Sequence, residues 1–407
     1  MKPLKSQRPH IGIFGKRNIG KSSFINALIG QDISIVSETP GTTTDPVDKT
    51  IEISGLGPVV VIDTAGFDDV GPLGKKRIEA TYKTLRSIDL AIFLLSHNCL
   101  SSEENDFLSR LKADNIAFVV VHNKEDICPL TSEKKIELEN QIQKKIFTFS
   151  SKNKSGLDLL LSQIKEAIPP SAFTNLSIVG DLVKEGDIVI LVTPIDKEAP
   201  QGRLILPQVQ TIRDVLDQNC VAIVVKEREL DSFLKSSQIK PKLVITDSQA
   251  FLKVDASIPS HIPLTSFSIL FARLKGDFEL YIKGTKAIGK LKDEDRLVIL
   301  ESCAHHSTGD DIGRVKIPRF ISQVTGKKLH FDVVAGLSNI PRPITDYSLV
   351  IQCGGCMLSR TQVLGRLKDA IDAKIPITNY GMAIAYSLGI FERAIAPFNQ
   401  SLNSGEL

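Results

Sequence analysis

The stretch HIGIFGKRNIGKSSFINALIG, residues 10–30, decides how the amino-terminal part of this chain is read. A short apolar run ends at Gly15, the loop GKRNIGKS follows at 15–22, and apolar residues at helical spacing begin directly after it. The loop fits G-x-x-x-x-G-K-[ST]. In that pattern glycines let backbone N–H groups close around phosphates, a lysine supplies a cation to the β/γ oxygens, and a hydroxyl ligates Mg2+. Those roles fall to Gly15, Gly20, Lys21 and Ser22, with Ser23 beside them. A strand, this loop and a helix in that order predict a P-loop, with phosphate held at the helix N-terminus.

Working outward, GPVVVID (57–63), DLAIFLLS (89–96) and NIAFVVVHN (115–123) read as buried strands. Helical periodicity separates several of them, as in GKKRIEATYKTLRSI (74–88) and GLDLLLSQIKEAI (156–168). This alternation predicts a mainly parallel sheet with helices on both faces. PPSAFTN (169–175) reads as a linker that closes a domain over 1–172.

Three further pieces narrow the nucleotide. VVVIDTAG (59–66) puts Asp63 at a strand end, where it can hold the magnesium shell, and Gly66 near the γ-phosphate. HNKED supplies Asn123, Lys124 and Asp126. A carboxylate accepts both N1–H and the exocyclic amine of guanine, whereas adenine offers the wrong donors, so the expected nucleotide is GTP. FSSKN adds Ser151 and Lys152 beside the base. Four elements in this order imply a GTPase. The Thr-rich loop ETPGTTTDP (38–46) is of the kind that γ-phosphate and Mg2+ can order. By resemblance to translation-factor-like and tRNA-modification GTPases, Thr43 is its magnesium ligand. Phe67 follows DTAG where Ras-like GTPases place a water-orienting Gln, so hydrolysis should be slow or use another device. Asn18 offers one, because GTPases with N-x-G-K-S at this place often use it to hold K+.

Beyond the linker, GDIVILVTPID (186–196), VAIVVKE (221–227) and PKLVITDS (241–248) alternate again with helical patterns, but without a phosphate loop. A dimerisation domain over 177–262 is the expectation. HIPLTSFSILFARLKG (261–276) opens a third segment, 263–407, helical in pattern up to 293 and then carrying DRLVILESC and YSLVIQCGGC. The fold class is therefore α/β, a P-loop GTPase domain followed by two further α/β domains.

The chain has 407 residues, 42% of them hydrophobic, and a formal net charge of +3, too balanced to make nucleic acid or anionic lipid the main partner. No apolar run reaches the length of a membrane span and the basic amino terminus lacks a signal-peptide core, so a cytoplasmic location is expected. Of six cysteines, Cys99, Cys128 and Cys220 read as small buried hydrophobes. Cys303, Cys353 and Cys356 do not, because each group follows an apolar strand-like run. If those runs are neighbouring parallel strands, the sulfurs can converge at the strand ends. Three chemistries then compete. A redox dithiol would use Cys353 and Cys356 alone. A structural zinc would take three cysteines with His305 or His306. An iron–sulfur cluster would take three thiolates and leave an exchangeable fourth position, for which His305, His306, Glu301, Asp310, Asp311 or solvent are candidates.

A GTPase of this type joined to C-A-H at 303–305 and C-G-G-C at 353–356 resembles the HydF family of [FeFe]-hydrogenase maturation GTPases. The family pattern is C-x-H, a spacer of about fifty residues and H-C-x-x-C. Cys303, His305, Cys353 and Cys356 match it, whereas Gln352 stands where the family has His. The resemblance implies a [4Fe–4S] cluster on the three cysteines with His305 as a candidate ligand, and a homodimer. It also implies a scaffold that receives a diiron precursor from radical-SAM maturases and passes it to apo-[FeFe]-hydrogenase. Arg314, Lys316, Arg319 and Arg360 are candidates to balance anionic ligands near that site. The alternative is an RNA- or ribosome-associated GTPase whose carboxyl-terminal domain is a zinc-stabilised binding module. The lack of an aromatic-and-basic surface pattern stands against it.

Overall fold

A computed structural model describes residues 8–29, 47–53, 56–68, 71–172, 177–194, 204–302 and 311–399. Thr43, Cys303, His305, His306 and Asp310 lie outside the described residues. The chain divides into two units, Met1–Asn175 and Leu176–Leu407.

The first unit is built on a six-stranded sheet. Its strands are β1 (His10–Phe14), β2 (Val47–Ile53), β3 (Gly57–Asp63), β4 (Leu90–Leu95), β5 (Phe118–His122) and β6 (Ile146–Thr148), in the order β2-β3-β1-β4-β5-β6. All neighbours are parallel except β2, which pairs antiparallel with β3. Successive side chains of a strand point to opposite faces. Leu90, Ile92 and Leu94 thus enter one core with Phe24 and Leu160, while Ala91, Phe93 and Leu95 enter another with Phe107 and Leu138. Those partners sit on helices Lys21–Ile29 and Leu157–Ala167 on one side, and Ser102–Ala113 and Ser132–Ile142 on the other. Helices on both faces are what the continuous apolar strands require. Edge strand β2 escapes the sequence reading because its first half, VDKT, carries one apolar residue in four, so no apolar run marks it.

The second unit carries both segments distinguished in sequence, each on its own parallel sheet. β7 (Ile188–Val192), β8 (Val221–Val225), β9 (Leu243–Thr246) and β10 (Leu264–Ser266) form the order β10-β9-β7-β8. β11 (Arg296–Leu300), β12 (His330–Val334), β13 (Leu349–Gln352) and β14 (Ile377–Asn379) form the order β12-β11-β13-β14. The first sheet takes its last strand from residues just past 262, and one continuous core spans both sheets. Helix Phe267–Lys275 leaves β10 capped by Ser266 and buries Ile269, Leu270, Phe271 and Ala272 in that core.

Among the described residues no helix is long and apolar enough to cross a membrane. Cys220 is buried as its sequence context suggests, but Cys99 is exposed and Cys128 half-buried, which corrects the reading of those two as core residues. Cys99 follows a strand end rather than lying within one, so strand apolarity does not extend to it.

Candidate functional site

The sheet of the first unit reverses its strand order at β1, which lies between β3 and β4. Open parallel sheets bind ligands at the carboxyl ends of strands at such a point. The loop 15–22 emerges there. Asn18 holds a left-handed φ of 56°, and Gly20 a φ of 95°. A Cβ on Gly20 would stand 2.7 Å from Asn123 Nδ2, so only glycine lets the phosphate loop and the base loop meet. The two loops are tied directly: Asn123 Nδ2 donates to Ile19 O at 3.0 Å and Lys124 Nζ to Asn18 O at 2.7 Å.

Lys21 Nζ donates to the carbonyls of Gly15 and Lys16 at 2.9 and 2.8 Å, which holds its ammonium over the loop. Ser22 Oγ donates to Asp63 Oδ2 at 3.3 Å, so the two expected oxygens of a magnesium shell stand side by side. Gly66 abuts the loop, where a Cβ would lie 2.8 Å from Arg17 N, and Arg17 N–H donates to Asp68 Oδ1 at 2.7 Å. Phe67 turns away into the core, 5% exposed and stacked on Phe93 and Phe107. At the base end, Ser150 Oγ donates to Asp126 Oδ1 at 2.7 Å, and Ser151 donates to Asn123 Oδ1 through N and Oγ. Lys152 follows on the same loop. Ser150 is the member missed in sequence, although it lies within FSSKN.

The second candidate site lies in the second unit, where β11 sits between β12 and β13, again a reversal of strand order. The runs DRLVILES and YSLVIQ are neighbouring parallel strands, with Leu300 opposite Gln352. Cys353 therefore emerges beside Glu301 and Ser302, the residues that precede Cys303 in the chain. Cys353 N–H donates to Leu300 O at 3.0 Å. Its sulfur lies 3.1 Å from Ser302 N, 2.8 Å from Ser302 Oγ and 3.6 Å from Gln352 Nε2. Gly355 follows with a left-handed φ of 67°, which bends the loop back past Cys356 toward helix Arg360–Asp372, capped by Ser359.

Charged groups surround this strand end. Arg366 donates to Glu301 O at 2.7 Å and Val334 O at 2.8 Å, pinning the end of β11. Arg314 Nη2 bonds Glu301 Oε2 at 3.2 Å, and its N–H donates to Asp311 Oδ1 at 2.9 Å. The hydroxyl of Tyr380 is buried with no hydrogen-bond partner among the described residues. Burial, with the Cys353, Glu301 and Asp311 charges, keeps it protonated far above the usual phenol range. Lys275 is 8% exposed, and burial drives its ammonium down to about 8 against the opposing pull of Cys356. Of the basic residues singled out in sequence, Arg314 is spent on Glu301, Arg360 on Leu274 O, Lys316 on Gln249, and Arg319 lies over Phe320. Lys275, Arg366, Ser302 and Tyr380 were not anticipated. Only Ser302, adjoining Cys303, had a signal in the sequence.

Among the described residues no set of three His, Cys, Asp or Glu side chains is placed to hold a metal ion. Soft thiol donors at a strand reversal, with hydrogen-bond donors aimed at a sulfur, nevertheless fit an iron–sulfur group better than a hard cation.

The Hydrogen maturase F dimerization domain matches residues 178–276, and the Hydrogen maturase F tetramerization domain matches residues 279–397. The domain described as 50S ribosome-binding GTPase matches residues 10–124. Among curated relatives, tRNA modification GTPase MnmE of Chromobacterium violaceum is 37% identical over 161 residues, covering 39% of this chain and 34% of that protein. GTPase Der of Wolinella succinogenes is 33% identical over 166 residues, covering 38% of this chain and 34% of its own length. The chain spans about a third of the length of these relatives. Aquifex aeolicus Era bound to GDP·AlF4− aligns with a TM-score of 0.34 at 19% identity, over 56% of this chain and 97% of that one. Likeness at that level adds nothing about activity.

Proposed function

The chain belongs to the hydrogen maturase F family, two of whose domains follow one another behind a GTPase domain, and from that premise we propose that it is a GTP-hydrolysing carrier in [FeFe]-hydrogenase maturation. Lys21 and the 15–22 backbone hold the β- and γ-phosphates, and Ser22, Thr43 and Asp63 hold Mg2+. Gly66 senses the γ-phosphate, while Asn123, Lys124, Asp126, Ser151 and Lys152 read guanine. With Phe67 in the core, no side chain at that place orients water, so hydrolysis is slow and K+ held at Asn18 stimulates it.

Cys303, Cys353 and Cys356 hold a [4Fe–4S] cluster whose fourth position is filled by His305, His306, Glu301, Asp310, Asp311 or solvent. Bound there, the cluster supplies iron with an exchangeable coordination position for a diiron precursor. The chain works in the cytoplasm as a homodimer, taking that cargo from radical-SAM maturases and delivering it to apo-hydrogenase. The expected domains over 1–172, 177–262 and 263–407 divide the nucleotide, dimer and cluster roles, with β10 (Leu264–Ser266) completing the sheet of the second.

The observation that carries this reading is the Cys353 sulfur just past the end of β13, within 3.1 Å of Ser302 N and Oγ on the neighbouring strand end. The test is activation of apo-[FeFe]-hydrogenase by the protein loaded with the maturases. Activation by wild type and none by Cys353→Ala is expected. Equal activation by both would overturn the reading.

A further inference from the structure

Polar contacts converge on the sulfur of Cys353. Two N–H donors and a hydroxyl face one sulfur: Ser302 N at 3.1 Å, Gln352 Nε2 at 3.6 Å and Ser302 Oγ at 2.8 Å. Gln352 Nε2 also lies 3.4 Å from Ser302 Oγ and 3.2 Å from Cys353 O. A carbonyl accepts only, so the contact with Cys353 O fixes which end of the amide carries nitrogen. The side chain is 1% exposed, and the backbone on either side is held. Asn379 Nδ2 donates to Gln352 O at 3.2 Å, and Cys353 N–H to Leu300 O. These donors have little freedom to turn elsewhere.

A free thiol can give its own proton to Ser302 Oγ. A sulfur bound to iron has none, so ligation turns this contact round: Ser302 O–H donates to Cys353, with Gln352 N–H behind it. We propose that Ser302 and Gln352 are positioning residues of the cluster. They donate hydrogen bonds to the ligating sulfur of Cys353 and thereby raise the cluster's reduction potential, and Gln352 is not itself a ligand. This rests on the cluster reading above. The reason is electrostatic: one-electron reduction adds negative charge that spreads onto the sulfurs, and N–H and O–H dipoles aimed at a sulfur stabilise the reduced form more than the oxidised one. A neutral amide is also a poor ligand for a soft iron–sulfur centre.

The test is an anaerobic redox titration of the reconstituted full chain, with dithionite as electron donor, followed by the EPR signal of the reduced cluster. Ser302→Ala and Gln352→Leu should each move the midpoint to lower potential. Losing one donor to a charged sulfur is worth about a tenfold change in the one-electron equilibrium, or about 59 mV. Ser302→Thr, which keeps the hydroxyl, should stay near wild type. Gln352→Leu should keep its iron content and EPR line shape, since no ligand is removed. Unchanged potentials in both variants overturn the inference, as does loss of iron in Gln352→Leu. If Ser302→Ala holds no cluster, wild-type protein exchanged into D2O decides: exchangeable deuterons coupled to the reduced cluster support the donors, and their absence removes them. A wild-type chain that takes up no iron–sulfur cluster at all would instead sink the carrier reading itself.

Discussion

Two single residues report on the two sites. Ser150 is buried and its hydroxyl bonds Asp126, the carboxylate we propose to read guanine. Removing it leaves Asp126 free to swing out of the plane of the base. Ser150→Ala should therefore weaken GTP and GDP alike, by about fivefold (roughly 1 kcal/mol), while the hydrolysis rate at saturating GTP stays as it was. Titration with a fluorescent guanine nucleotide reads this; a loss confined to GTP would contradict it. Lys275 offers a pH signature. Burial lowers its ammonium from 10.5 to about 8, so between those values the unfolded chain holds a proton that the folded chain has released. Stability of the metal-free protein should thus rise with pH across that window. Lys275→Met should flatten the rise and be the more stable protein near neutral pH, by an amount on the order of 3 kcal/mol or less. Urea denaturation at a series of pH values measures both, and parallel curves for the two proteins would refute the assignment.

At the scale of elements, the strand–loop–helix at 10–29 and the buried strands of the first unit were legible because apolar runs and glycine punctuation carry them. The parallel pairing of β11 with β13 was legible too, as an inference from two apolar runs that each end in cysteine. What no local pattern carries is the set of side chains that reach the strand ends from distant elements. Lys275 comes from a helix more than seventy residues before Cys353, and Arg366 from the helix after it. The tolerance of helix Phe278–Thr285 for its neighbours is of the same kind. Gly284 looks like a weak point in a helix, yet a Cβ there would collide with the carbonyl of Ile377 in β14. Gly284→Ala gains about 1 kcal/mol of helix propensity but forces the helix off the sheet. We expect a net loss of about 1–3 kcal/mol and a lower melting temperature for the second unit. A variant as stable as wild type would show that this contact yields easily.

At the scale of the whole molecule, each unit places its candidate site at the carboxyl ends of its strands, where the sheet reverses order, and each has its own core residues. The most direct measurement is anaerobic reconstitution of the full chain with iron and sulfide, followed by metal and sulfide analysis and a visible spectrum. We predict a brown protein with about four irons and four sulfides per chain, and loss of that colour in Cys303→Ala, Cys353→Ala and Cys356→Ala with GTP binding intact. A colourless protein that holds one zinc per chain on the same cysteines would contradict the account.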